Sequence, residues 1–301
     1  MSILRYNTFN YAYRRYGDTE APAIVLIMGL ALSSSFWPDL FIREIVSQGF
    51  QVITVDNRDS GESTHFSDVN PSTFDVVKAI VCSALHRPVH NAPYALEDMA
   101  FDIERVLDAL KIRRAHILGM SMGGMIAQTM AMQCPNRVAS LISLSSASGN
   151  FITGLGNPFV VSSLLFSKAR DTADEATRLE YMRKYLLRLA CDTYPPSPEE
   201  LQQTLEKLKV FPNERYAQRR QLMAIFASGD RREMLSQIRV PTLVIHGTSD
   251  PLLPLKAGRE CANLIKGSKY IEIKGMGHIM THALIPTLSS HVIQHCRQYT
   301  A

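Results

Sequence analysis

A chain of 301 residues, 46% hydrophobic and 20% charged, has the composition of an ordinary globular protein and the length of one large domain, alone or with an inserted subdomain. Its formal charge of +4 is small, and its Lys and Arg residues are spread along the chain, which argues against a nucleic-acid partner. No stretch reaches the roughly 18 uncharged apolar residues of a membrane span, and the opening residues are polar where a signal peptide has its apolar run, so a soluble, cytoplasmic protein is expected. Cys82, Cys134, Cys191, Cys261 and Cys296 are odd in number, far apart and without a CxxC pair, a pattern of reduced thiols rather than of disulfides or a zinc site.

In chain order, the N-terminal segment alternates polar and apolar residues around Tyr11, Tyr13 and Tyr16, the pattern of an antiparallel hairpin of half-exposed strands. Residues 23–28, 51–56, 115–119, 138–144 and 242–246 are short apolar runs, each followed by turn residues and then a helical pattern. Such runs are how strands buried on both faces of a parallel sheet read, and their alternation with helices predicts a doubly wound α/β sheet. Residues 68–93, with Pro71, Pro88 and Pro93 around an apolar stretch, read as a loop with one short helix. Leu96, Met99, Ile103, Val106, Leu107 and Leu110 form a stripe at three- and four-residue steps, which predicts a helix lying on the sheet. The alternation then breaks. Residues 148–239 read as amphipathic helices, among them 173–189, 198–208 and 214–226, with a Tyr194-Pro195-Pro196 break. The expected organisation is an α/β core of residues 1–147 and 240–301 with a helical cap of residues 148–239.

Gly119-Met120-Ser121-Met122-Gly123 is a G-x-S-x-G pentapeptide between a predicted strand and a predicted helix. That context makes Ser121 a candidate nucleophile, because glycines on either side allow the sharp turn that exposes a serine at the carboxyl edge of a sheet. A serine hydroxyl needs a base and an orienting acid, expected further along in the order Asp, His. Asp250 follows the 242–246 strand, and His278 closes Lys274-Gly275-Met276-Gly277-His278. The preceding strand end, residues 145–150, contains no acid, which favours Asp250. An oxyanion hole requires two backbone donors: the Met122 N–H, just after the nucleophile, and the Leu30 N–H, after the turn at Gly29. Met28 and Gly29 are candidate substrate-lining residues, and Met28 and Met122 are candidates for a flexible apolar wall. Met120, Met125, Met130 and Met132 read as core. Arg58, in the polar run Asp56 to Ser63, reads as an ion-pair partner within its own loop. The pairs His278/His282 and His291/His295 lack the HExxH glutamate and nearby acidic ligands, so no metal is expected.

Across nearly its whole length the chain resembles the α/β-hydrolase superfamily, through Met28-Gly29-Leu30, Asp56-x-Arg58, Gly119 to Gly123, Asp250-Pro251 and Gly275-x-Gly277-His278. Ile27-Met28-Gly29-Leu30, Phe36-Trp37-Pro38, Asn57 to Ser63 and Ser121-Met122-Gly123 are most similar to the aclacinomycin methylesterase group of carboxylesterases. The resemblance implies a mostly parallel eight-stranded sheet with helices on both faces, a cap closing over the site, and a serine carboxylesterase acting on a small-molecule ester, a methyl ester or lactone included, without metal or organic cofactor. Met28 stands where the commoner oxyanion loop has His before Gly, a change of pocket shape since the donor is backbone. The alternatives are an acyltransferase or perhydrolase on the same three residues and a ligand receptor of the same fold.

Overall fold

The computed structural model describes residues 1–166, 174–210 and 215–300. The chain opens with the expected hairpin, strand β1 (Ser2–Tyr6) against β2 (Phe9–Tyr16), turning at Asn7 in the left-handed region with φ 51°. There follow β3 (Ala23–Ile27), helix α1 (Asp39–Ser47), β4 (Gln51–Val55), α2 (Thr73–Ala84), α3 (Leu96–Ala109), β5 (Ala115–Met120), α4 (Met122–Gln133) and β6 (Val138–Leu144). The described residues form one eight-stranded sheet, which β7 (Thr242–Gly247) and β8 (Lys269–Ile273) complete, in the order β1-β2-β4-β3-β5-β6-β7-β8. Only the pairings of β2 with β1 and β4 are antiparallel.

The uninterrupted apolar runs are explained by burial on both faces. Every residue of β3, β5 and β6 is buried. Successive side chains of β3 go to opposite sides, as the pleat requires. Val25 and Ile27 join Leu96, Ile103 and Leu107 of α3 and Ile126 and Met130 of α4. Ile24 and Leu26 join Phe41 and Ile45 of α1 and Leu288 and Val292 of α12 (Ile285–Gln298). The first face is also covered by Ala257 and Cys261 of α11 (Leu255–Leu264). Each such side chain contributes about 1.5–3 kcal/mol by leaving water, so the sheet is a rigid base for whatever its edge carries. All five cysteines are free thiols.

Between β6 and β7 lie α5 (Phe151–Gly154), α6 (Pro158–Phe166), α7 (Glu175–Ala190), α8 (Pro198–Val210), α9 (Arg215–Ala227) and α10 (Arg232–Gln237). The helices expected at 173–189, 198–208 and 214–226 correspond to α7, α8 and α9; Ala173 and Glu214, where two of them were expected to begin, lie outside the described residues. Among the described residues, no helix is long and apolar enough to cross a membrane.

Two expectations are revised. The segment 68–93 is less of a loop than its prolines suggest, because α2 runs for 12 residues. Ser72 and Asp75 form a reciprocal capping box, with Asp75 N–H on Ser72 Oγ at 3.2 Å and Ser72 N–H on Asp75 Oδ2 at 2.7 Å, and Val76 and Ala79 pack against Leu222 and Met223 of α9. Arg58 pairs outside its own loop: its guanidinium meets Asp102 of α3 at 2.7 Å through both Nε and Nη2. Its loop neighbour Asp59 reaches further, to Arg220 of α9, in a bidentate pair at 2.8 and 2.9 Å whose side chains are both 0% exposed.

Candidate active site

Ser121 sits between the last residue of β5 and the first of α4, with φ 57° and ψ −122°. A non-glycine residue in this region is strained, and the surroundings hold it there. Its N–H donates to Leu144 O at 3.0 Å, and Ser146 Oγ donates to its carbonyl at 2.8 Å. The flanking glycines allow the turn: a Cβ on Gly119 would collide with the Gly123 carbonyl, and one on Gly123 with Ile27 O. The hydroxyl therefore stands at the carboxyl edge of the sheet, at a helix N-terminus whose unpaired amides favour negative charge.

The two partners expected from the sequence converge on this hydroxyl. His278 Nε2 lies 3.0 Å from Ser121 Oγ, and its Nδ1 lies 2.7 Å from Asp250 Oδ2. Asp250 follows β7, and its other oxygen, Oδ1, accepts the N–H groups of Leu252 and Leu253 at 2.9 Å each. One carboxylate oxygen is thus committed to its own loop and the other to the imidazole. The backbone of His278 is also fixed, its main-chain N–H donating to Leu189 O of α7 at 2.6 Å. Asp250 and His278 are both buried. A carboxylate accepting from Nδ1–H leaves Nε2 as the basic nitrogen facing the hydroxyl, the arrangement needed to remove its proton.

A second histidine, not anticipated from the sequence, supports the acid. The buried His246 at the end of β7 places Nε2 2.8 Å from Leu253 O and 3.7 Å from Asp250 Oδ2. A carbonyl only accepts, so Nε2 carries the proton. Burial holds this imidazole below its ordinary range, against the opposing pull of Asp250. Its one sequence signal is its place four residues before the acid.

The loop after β3 comes so near the serine that a Cβ on Gly29 would lie 3.2 Å from Ser121 Cβ. Asn57 Nδ2 donates to Met28 O at 2.9 Å, Gln221 Oε1 of α9 accepts from Ala31 N–H at 2.7 Å, and Asp56 Oδ1 accepts from Ser34 N–H at 2.6 Å. Between these clamps, the Leu30 N–H has no protein acceptor among the described residues, and neither has the Met122 N–H. Both residues line an apolar chamber of about 270 Å³ around Ser121 and His278. Met28 and Gly29 line it. Met120 at the end of β5 and Met125 in the first turns of α4 are buried in the core, as the sequence reading has them, and also reach the chamber wall. Met130 is fully buried in the core and Met132 packs against it.

A family model described as alpha/beta hydrolase fold matches residues 22–282. The chain belongs to the α/β-hydrolase fold family. Its similarity to the methylesterase group also holds over full length: rhodomycin D methylesterase DnrP of Streptomyces peucetius is 28% identical over 94% of each chain. The 3-oxoadipate enol-lactonase 1 of Acinetobacter baylyi is 28% identical over 80% of this chain and 76% of its own. Among solved structures, the enol-lactonase from Burkholderia xenovorans LB400 superposes with a TM-score of 0.71 at 23% identity, covering 98% of this chain and 100% of the other. The fold of this α/β hydrolase is thereby shared with proteins of very different sequence; its chamber is walled in part by the 68–93 segment and the helices between β6 and β7.

Proposed function

We propose that this α/β hydrolase is a carboxylic-ester hydrolase that works through an acyl-enzyme on Ser121. The observation that carries the reading is the unbroken hydrogen-bond chain from Ser121 Oγ through His278 to Asp250, at 3.0 and 2.7 Å, opening on an apolar chamber. His278 Nε2 takes the hydroxyl proton as Oγ attacks the ester carbonyl. Asp250 keeps Nδ1 protonated and stabilises the imidazolium. The negative oxygen of the tetrahedral intermediate meets the Leu30 and Met122 amides; each such donor is typically worth about a hundredfold or more in rate. The imidazolium then protonates the leaving alcohol, and a water activated by the same nitrogen releases the acid. Residues 148–239 act in this reading as a cap over a core of 1–147 and 240–301, Met28 and Gly29 form part of the substrate wall, and the free cysteines support a reducing, cytoplasmic setting. Similarity to a methylesterase and an enol-lactonase supports an ester or lactone carbonyl as the target.

The test is hydrolysis of short p-nitrophenyl esters by Ser121→Ala. A fall of roughly a thousandfold or more in kcat is expected; turnover equal to that of the parent enzyme would sink the proposal.

A further inference from the structure

Two apolar clusters meet at the chamber beside Ser121, and α6 contributes to both. Its adjacent residues Leu164 and Leu165 belong to different apolar clusters. Leu165 joins the cluster that includes Leu30 of the loop after β3, Ile80 of α2, and Leu222 and Phe226 of α9. Leu164 joins the cluster of Met182 and Leu189 of α7, Leu252 beside the acid and Ile279 beside the base. Residues of both groups line the one chamber. We take the two groups as two lobes of it, one on the Leu30 side of Ser121 and one on the His278 side.

The chemistry distinguishes them. Acyl transfer requires the imidazolium to hand its proton to the leaving oxygen, which puts the alcohol part of an ester in the lobe of Met182, Leu189 and Ile279. The acyl chain then occupies the lobe of Ile80, Leu222 and Phe226. Among the described residues lining the chamber none is Asp, Glu, Lys or Arg; beyond Ser121 and His278, the polar ones are Ser83, Asn150, Tyr185 and Gln218. The Asn150 amide is already engaged, by Glu260 at 2.7 Å and by the Ile152 N–H at 3.0 Å. An ionised group on the substrate would lose its hydration here and meet no opposite charge. With about 270 Å³, the chamber lies just below the roughly 300–1,000 Å³ of pockets for drug-sized molecules.

We propose that the substrate is a compact ester, uncharged and apolar on both sides of the scissile bond, with its alcohol held by α7 and its acyl chain by α2 and α9. The proposal rests on the ester-hydrolase reading.

It is tested by kcat/KM on two series of neutral esters, methyl esters of lengthening acids and acetates of lengthening alcohols, with methyl hexanoate against monomethyl adipate as the charge comparison. Monomethyl adipate should be at least about a hundredfold poorer, since a buried unpaired carboxylate is far costlier than a methyl group. Ile80→Phe, which narrows the acyl lobe, should cost the longest acids about tenfold while keeping the parental order of alcohols. Met182→Phe should do the reverse, a methylene-scale misfit being worth about 10–200-fold. Should either variant fail to fold by circular dichroism, Ile80→Ala and Met182→Ala take its place, each expected to favour longer substrates on its own series only. Effects on exchanged series, both variants acting on one series, or equal turnover of methyl hexanoate and monomethyl adipate would overturn the proposal. Absence of turnover on every ester by the parent protein would instead defeat the ester-hydrolase reading on which it stands.

Discussion

Gln221 of α9 accepts the Ala31 N–H at 2.7 Å and donates through Nε2 to Arg58 O at 2.8 Å. One buried amide thus joins a helix of the 148–239 segment to the loops after β3 and after β4. Ala31 needs the help, because it is a non-glycine residue at φ 61°, in a region that costs an L-residue on the order of 1 kcal/mol or more. The neighbouring amide is that of Leu30. Gln221→Met removes both bonds at similar size and leaves the half-buried Ala31 N–H without its acceptor, a loss on the order of 1 kcal/mol. The expected result is a drop in kcat of about tenfold or more, with KM changed little. Gln221→Glu, which keeps an acceptor for Ala31, should recover part of it. Steady-state kinetics on a neutral ester, with the melting temperature recorded alongside, checks this; equal kcat in all three proteins would remove the positioning role.

Asp250→Asn preserves shape and reverses one hydrogen bond. Oδ1 still accepts from Leu252 and Leu253 as at 2.9 Å in the parent, so the amide nitrogen is left facing His278 Nδ1. Two donors cannot share that contact, and the imidazole must move its proton to Nε2, where it faces Ser121. The corresponding change in a serine protease lowers kcat by about 10⁴, and a loss of similar order is expected here, measured as kcat at neutral pH with the fold verified by circular dichroism.

The Arg220–Asp59 pair is wholly buried, and Tyr94 also donates to Asp59, at 2.6 Å. Arg220→Met leaves a carboxylate in the interior without its cation. Breaking a buried pair from one side typically costs about 3–5 kcal/mol, to be read from urea denaturation midpoints. The double variant Arg220→Met/Asp59→Asn should regain much of this, since no uncompensated charge remains.

His116 and His295 are buried near one another, and each is pushed by desolvation from the ordinary 6.5 down to about 4. Their mutual repulsion adds to the shift of His116, and Lys269 to that of His295. Each binds fewer protons in the folded than in the unfolded state. The stability that depends on their neutrality is therefore present above about 6.5 and lost as pH falls toward about 4. Thermal unfolding at intervals from pH 7 to pH 4 should show a falling melting temperature, and His116→Asn should flatten that slope. A slope unchanged by the substitution would mean other groups set it.

What could be read from the sequence was whatever is written locally. The G-x-S-x-G turn, the acid after β7 and the histidine after β8 each carry their own glycines or turn residues, and their order along the chain identifies them together. The length of α2 was also present in the sequence, as Ser72 three residues before Asp75, but the surrounding prolines obscured it. Contacts set by tertiary packing had no such mark. Arg58 finds Asp102 across 44 residues, and Arg220 finds Asp59 across 161; nothing near either arginine names its partner. Met120 and Met125 read correctly as core, but their second contact, with the chamber, is set by the turn at Ser121 and has no local mark.

The bonds made by Arg220 and Gln221 also bear on how such a protein diversifies. A substitution that shifts α9 disturbs the loop beside the nucleophile, so new substrates won there come at the expense of turnover. α7 meets the triad through a main-chain carbonyl, that of Leu189, which any residue supplies. Selection for a different alcohol can therefore work through the side chains of α7, while the acyl side, leaning on α9, changes more slowly.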